Sequence, residues 1–173
     1  MNNIKKMLSR KSKLISGDHV LDIASNDATL LNFYNKNIVK VGIDPLVNKY
    51  IKYYKKIDYK ISDFFSSSKI LKKKIKNKFK IITALSVFYD AKDPNQFLKD
   101  VNKLLSEDGI FLLEHSDLLS IMKLKMFDTI CHEHLEYYSL LNIKALLNEC
   151  GFKIIDVVMN SINGGSFAVT ACK

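Results

Sequence analysis

At 173 residues the chain is the size of one domain, able to bury roughly 70% of its unfolded surface, with no room for a second. Its 47% hydrophobic and 26% charged content excludes a disordered or fibrous chain, and no apolar run approaches the ~20 residues a membrane span needs. The formal charge of +9 comes almost entirely from lysine, because Arg10 is the only arginine; without guanidinium forks to grip bases and phosphates, nucleic acid is not an expected partner.

Residues 1–17 form a basic segment expected to be helical, and residues 18–173 the main domain. With no signal-peptide pattern, and with Cys131, Cys150 and Cys172 too far apart for a zinc knuckle or a disulfide framework, the expected compartment is the cytoplasm. Short apolar runs then alternate with longer mixed segments, which predicts an α/β fold with a mostly parallel sheet.

In chain order, His19 to Ala24 is the first predicted strand, followed by a helix over Ala28 to Asn35. Ile38 to Asp44 is the second strand, Leu46 to Tyr54 a helix, and Tyr59 to Ile61 a short third strand. The Ser66 to Lys80 segment reads as a loop or surface helix. It closes a run of twelve lysines from Lys49 to Lys80, a solvated face that can also attract an anionic substrate over long range.

Phe79 to Leu85 is the fourth strand, and Pro94 to Leu105 the most clearly marked helix: Asp93 can cap it, Pro94 suits its first turn, and Phe97, Leu98, Val101, Leu104 and Leu105 form one stripe. Gly109 to Glu114 is the fifth strand. A helix over Leu140 to Cys150 has Ser139 as its cap and Gly151 as its left-handed stop. Lys153 to Val158 and Ser166 to Cys172, joined by Asn160 to Gly165, predict a closing antiparallel hairpin.

The turn after the first strand, Ala24-Ser25-Asn26-Asp27-Ala28, lies where open parallel sheets bind ligands. It is not a glycine-rich dinucleotide loop. Asp22 and Asp27 would repel a pyrophosphate, whereas they suit a ligand with a cationic end, such as the ammonium of S-adenosylmethionine. The alternative for Asp27 is a structural role at a helix start. Asp44, ending the second strand, stands where a carboxylate commonly accepts from ribose hydroxyls, and Asp63 with Phe64 can offer adenine an acceptor and a wall.

The segments VLDIASNDATLL, VGIDP, LSVFYDAKDPNQFLKDVNKLLSEDGIFLLEHS, FDTICHEHLEYYSL and NGGSFAVTACK resemble the sugar C-methyltransferases that act on nucleotide-linked keto-deoxysugars, over about Asp18 to Lys173. The resemblance implies a Rossmann-like class I methyltransferase fold, seven-stranded and ending in an antiparallel hairpin. It implies S-adenosylmethionine as cofactor, with Asp22, Ala24, Ser25, Asn26 and Asp27 around its methionine end, Asp44 and Pro45 at the ribose, Asp63 and Phe64 at the adenine, and Ser86 beneath.

Two departures stand out. Family loops usually carry glycine where this chain has Ala24 and Ala28. Typical members also have a zinc-binding amino-terminal domain and a further carboxyl-terminal domain, so a minimal enzyme, a fragment and a component working with a partner chain all remain open.

Methylation at carbon needs removal of a proton beside a ketone, and therefore a base. A histidine next to a carboxylate suits that task. In Cys131-His132-Glu133-His134 the resemblance implies His134 as base and Glu133 as its orienting or second acid-base partner; extended backbone would put His132 and His134 on one side. His132, Tyr137 and Tyr138, with the turn Asn163-Gly164-Gly165, are expected to border the substrate. No metal is expected, since a set drawn from Glu114, His115, His132 and His134 lacks a fixing spacing. The rival functions are methylation of a saccharide or metabolite hydroxyl, and a noncatalytic module that binds the cofactor or a partner.

Overall fold

The computed structural model describes residues 2–75 and 77–173; Met1 and Lys76, which the sequence reading put in the basic segment and the lysine run, lie outside them. A helix α1 (Asn2–Lys11) leads into β1 (His19–Ile23), the short α2 (Thr29–Asn32), β2 (Val39–Ile43), β3 (Tyr59–Ile61) and α3 (Ser67–Leu71). There follow β4 (Phe79–Leu85), α4 (Pro94–Leu104), β5 (Leu105–Ser116), α5 (Leu118–Leu124), α6 (Leu140–Glu149), β6 (Lys153–Asn160) and β7 (Ser166–Cys172).

The seven strands form one sheet in the order β3-β2-β1-β4-β5-β7-β6. β1 pairs in parallel with both β2 and β4, while β7 inserts antiparallel between β5 and β6. The expected seven-stranded class I architecture, with its closing hairpin, is therefore present. Strand order reverses between β1 and β4, which puts the loops after those two strands over one crevice.

Each sheet face has its own core. On one, Leu98 and Val101 of α4 and Ile143 and Leu147 of α6 join Phe79, Phe111 and Phe167. On the other, Ile4 and Leu8 of α1 join Leu30, Leu31, Tyr54 and Ile81. Burying a side chain of this size stabilises by about 1.5–3 kcal/mol, so α1, ion-paired at its end from Lys11 to Asp156 (2.9 Å), covers the sheet as part of the same body.

The predicted caps form. Asp93 accepts from the Gln96 amide at 2.9 Å, Ser139 closes a reciprocal capping box with Asn142, and Gly151 takes a φ of +79°. The helix expected over Leu46 to Tyr54 is instead turns ending in a 3-10 turn at Ile51–Tyr54. Asp44 accepts from the Leu46 amide at 2.6 Å, a local bond that competes with helix initiation. The helix expected from Ala28 to Asn35 is only α2, because Ala28 is left-handed at its start and Phe33 and Tyr34 donate three residues back. Helix α5 was not foreseen, although Asp117, which accepts from the Ser120 amide at 3.0 Å, is a capping signal the sequence does contain.

Candidate active site

A cleft of about 540 Å³ opens over the carboxyl ends of β1, β2 and β4, within the range of about 300–1,000 Å³ typical of small-molecule sites. Ile23, Ala24, Ile43 and Pro45 form one wall, and Asp63 and Phe64 border it after β3. The segment after β4 and the start of α4 close the other side, with Val87, Asp90, Gln96 and Phe97.

The loop between β1 and α2 is held by a small network. The Ser25 hydroxyl lies 2.7 Å from the Tyr54 hydroxyl, which donates to the Asn26 carbonyl at 2.8 Å. A Cβ at Gly42 would stand 2.8 Å from Ser25 Oγ and 2.9 Å from the Tyr54 ring, so glycine in β2 is what lets this pair dock. Asp44 accepts from the Asn26 amide at 3.0 Å as well as from Leu46, tying two loops together. An ionised carboxylate has about four lone-pair sites, so Asp44 retains acceptor capacity for a sugar hydroxyl.

Ala24, Asn26 and Ala28 all lie in the left-handed region, at φ of 56°, 46° and 59°. The turn thus adopts a glycine-like backbone with alanine at the two positions, Ala24 and Ala28, where family loops usually carry glycine. Each such residue costs about 1–2 kcal/mol, and the bonds from Ser25, Tyr54 and Asp44 hold the strain in place.

The two acids that selected the ligand from sequence are not on the cleft surface. Asp22 is 5% exposed and accepts from Thr83 Oγ1 at 2.5 Å beneath the loop. Burial, outweighing the Thr83 bond and aided by the nearby Asp44 charge, pushes its carboxyl up to about 7. Asp27 accepts from the amide (3.0 Å) and hydroxyl (2.7 Å) of Thr29 at the start of α2, the structural role held as its alternative. Asn26 is exposed, and Ser86, left-handed at φ 52°, donates its amide to Glu114 at 2.7 Å without lining the cleft. Asp63 does line it, held below the ordinary carboxylate range chiefly by its hydrogen bond from Lys69.

The residues present fit S-adenosylmethionine. The cleft has apolar walls for adenine at Ile43, Pro45 and Phe64, an acceptor at Asp63, and the carboxylate of Asp90 at the β4 side; Asp44, buried at 7% exposure next to the lining residue Pro45, does not itself line it.

The histidine-bearing segment does not line this cleft but is tied to the turn after β4, whose last residue, Asp90, does. Cys131 to His134 is a turn, closed by the His134 amide on the Cys131 carbonyl at 3.3 Å, and not the extended run that would align His132 with His134. His132 and Glu133 occupy its exposed centre. His134 folds inward: its Nδ1 lies 2.8 Å from the Thr129 carbonyl, and its ring packs edge-on to Tyr89 at 4.4 Å. Because a carbonyl only accepts, Nδ1 carries the proton of the neutral ring and Nε2 keeps the free lone pair.

The orienting partner expected at Glu133 is therefore the backbone of Thr129, which also accepts from Tyr137 at 3.2 Å. Leu135 and Glu136 both donate their amides to the Tyr89 carbonyl, fixing the segment to the turn after β4. Asp90 ends that turn, and its carboxyl is raised by burial, lowered by His134 and raised by Glu133. Tyr89, Asp90 and Thr129 were missed by sequence reading, though SVFYDA directly follows the strand beside β1, where a ligand-facing loop belongs.

Tyr138 is 7% exposed, its ring against Phe88 (5.4 Å) and His115 (5.6 Å), and burial lifts its phenol to about 12. His115 is enclosed, with Nδ1 2.8 Å from the Ser116 carbonyl, and Glu114 accepts from Asn160 at 3.2 Å. Among the described residues no three His, Cys, Asp or Glu side chains are grouped to hold a metal ion. The turn at Asn163-Gly164-Gly165 closes on the chain itself: a Cβ at Gly164 would stand 2.5 Å from Met126, and one at Gly165 2.6 Å from Ser120 of α5. Its glycines thus serve a protein-protein approach, where the sequence reading had a ligand in view.

Residues 2–157 match the family described as Methyltransferase domain. A curated relative, the C-methyltransferase NovU of Streptomyces niveus, is 34% identical over 92 residues, which are 53% of this chain and 22% of that protein. The chain thus spans about a fifth of the length of the curated relative it matches.

Among solved structures, an S-adenosylmethionine-dependent methyltransferase from Clostridium acetobutylicum ATCC 824 has a TM-score of 0.74 at 13% identity, covering 99% of this chain and 89% of that one. Magnesium protoporphyrin IX methyltransferase from Synechocystis PCC 6803, solved with SAH bound, has a TM-score of 0.70 at 14% identity, covering 98% and 80%. At such identities the likeness is one of fold.

Proposed function

Because the chain belongs to the methyltransferase domain family and takes S-adenosylmethionine as its cofactor, we propose that it methylates a carbon beside the keto group of a nucleotide-linked deoxysugar. The observation that carries this reading is the inward-turned His134, its Nδ1 engaged at 2.8 Å by Thr129 and its Nε2 free, on a segment anchored to the turn that borders the cofactor cleft. The likeness to a relative named a C-methyltransferase supports transfer to carbon.

S-adenosylmethionine, when bound, supplies an electrophilic methyl group on a sulfonium centre. In this reading Asp44 and Asp63 accept from the ribose and adenine ends, Ala24 and Pro45 shape the cleft, and the Ser25–Tyr54 pair holds the loop. Asp22, Asn26, Asp27 and Ser86 act by shaping and charging its floor. His134 Nε2 takes the proton from the carbon beside the ketone, while the Thr129 carbonyl keeps the bond to Nδ1–H as the ring becomes cationic. Half-buried Tyr137 and exposed His132 and Glu133 flank the acceptor side, where Tyr138 forms the wall behind. The lysines between Lys49 and Lys80 attract the diphosphate through their field.

The test is a panel of nucleotide-linked ketosugars incubated with isotopically labelled cofactor, with products read by mass spectrometry and NMR. Label on a carbon next to the ketone is the expected result. Label on oxygen would assign the chain to hydroxyl methylation, and cofactor binding without turnover on any acceptor would make it a binding module.

A further inference from the structure

Among the described residues four carboxylates line the cofactor cleft, and three of them are engaged by the protein itself. Asp63 accepts from Lys69 Nζ at 2.5 Å and from the Phe64 amide at 2.8 Å. Asp93 caps α4 through the Gln96 amide, and Asp100 accepts from the amide and hydroxyl of Ser67 at 3.1 and 2.7 Å. Asp90 is the fourth. It ends the 3-10 turn Phe88–Asp90 after β4, it is half-buried, and its Oδ1 is enclosed with no hydrogen-bond partner among the described residues. Lys92, exposed on the same wall, makes no ion pair with it.

An enclosed carboxylate oxygen without a donor is unfavourable, and a ligand that brings charged N–H groups to it removes that cost. S-adenosylmethionine has two cationic groups towards one end. Its sulfonium has no hydrogen to donate, whereas its ammonium has three. In the sheet order β3-β2-β1-β4 the turn that ends in Asp90 is three strands from the loop bearing Asp63 and Phe64, roughly 14 Å at ~4.8 Å per strand. That span leaves room for the adenosyl part of the cofactor between the two.

Resting on the reading that puts adenine beside Asp63 and Phe64, we propose that Asp90 receives the ammonium of the cofactor's amino-acid end. It thereby takes the place that charge alone gave to Asp22 and Asp27, whose carboxylates are held by Thr83 and Thr29 away from the cleft. The electrostatics agree, since burial is the chief cause raising the Asp90 carboxyl and an arriving cation offsets it. Asp90 therefore reads the amino-acid end and not the methyl group, so S-adenosylhomocysteine gains from it as S-adenosylmethionine does.

The test is calorimetry on the whole chain, with no acceptor present and three ligands compared. S-adenosylmethionine has both cations, S-adenosylhomocysteine keeps only the ammonium, and methylthioadenosine lacks the amino-acid end altogether. Asp90→Asn, close in shape and uncharged, is expected to weaken the first two by about tenfold or more and to leave the third unchanged.

Unchanged affinity for all three overturns the assignment, and so does a loss confined to S-adenosylmethionine, which would put the sulfonium at Asp90. Equal losses for all three would put ribose or adenine there and remove the orientation on which the assignment rests. If Asp90→Asn does not fold, Asp90→Ser gives the same comparison, and a parent chain that binds methylthioadenosine as tightly as S-adenosylhomocysteine overturns the assignment without any variant. The acceptor question stands apart: methyl transfer to oxygen removes the proposed function and leaves Asp90 at the ammonium.

Discussion

His134 Nδ1 and the carbonyl oxygen of Thr129 are 2.8 Å apart, and that one contact decides which ring nitrogen of the histidine carries the proton and which keeps a lone pair for a base. Replacing His134 with alanine or glutamine is expected to lower the rate of methyl transfer by about 10²–10⁴-fold, the usual contribution of a positioned general base. Cofactor affinity, measured by calorimetry, should change little, because His134 does not line the cleft. A comparable loss in cofactor binding would assign His134 to holding the ligand.

The left-handed alanines make the loop after β1 a place where stability can be gained. Ala24 is only partly buried, so Ala24→Gly relieves a φ of 56° without emptying a packed site and should stabilise by about 1 kcal/mol in thermal or denaturant unfolding. Ala28 has the same conformation but is 0% exposed, and Ala28→Gly removes a buried methyl as it relieves strain. Its gain should be smaller or reversed. Equal gains at both positions would mean that packing at Ala28 contributes nothing.

Asp22 gives the fold a pH dependence of defined sign. Its folded carboxyl, raised to about 7 from an ordinary 3.8, binds a proton that the unfolded chain has already released. The penalty for ionising it is absent at acidic pH, grows between about 4 and 7, and is complete above 7. Asp22→Asn keeps an acceptor for Thr83 and loses the charge, so the variant should melt higher than the parent at pH 8 and converge with it near pH 4. A melting difference that does not vary with pH would assign Asp22 an ordinary exposed-acid behaviour.

Tyr54 reaches from the 3-10 turn after β2 to the cofactor loop, with its hydroxyl 2.7 Å from Ser25 Oγ and 2.8 Å from the Asn26 carbonyl. Tyr54→Phe leaves the buried Ser25 hydroxyl and the Asn26 carbonyl without it and should destabilise by about 1–3 kcal/mol. Because the loop then loses its brace, cofactor affinity should fall as well. Lost stability with intact affinity would limit the pair to a role in the core.

A Cβ at Gly165, where φ is +146°, would stand 2.6 Å from Ser120 Cβ. Gly165→Ala is therefore expected to destabilise by more than about 2 kcal/mol, and Ser120→Gly in the same chain should recover part of the loss. If the single substitution is neutral, the turn has room for a ligand after all.

What the residues alone determined is local and periodic. Alternating apolar runs gave seven strands, Asp93-Pro94 and Ser139 marked helix starts, and the segment at Asn26 took its functional address from following the first strand. Such signals are legible because hydrogen-bonding caps and side-chain alternation act over a few residues, whatever the rest of the chain does. The resemblance to sugar C-methyltransferases added a chemistry to that frame.

The tertiary structure decided everything that depends on distant residues meeting. Asp22 reads as a surface acid for a cation, yet the sheet closes over it and Thr83 of β4 takes its carboxylate, so desolvation and not sequence position sets its charge. Ala24 and Ala28 stand where family loops usually carry glycine, and bonds from Tyr54 and Asp44 hold the loop in a glycine's path. Glu133 is beside His134 in the chain, but a turn directs the histidine inward onto Thr129 and Tyr89 and leaves the glutamate in water. Neighbours in sequence point where their backbone torsions send them, and only the packed sheet determines which charges share a dry site.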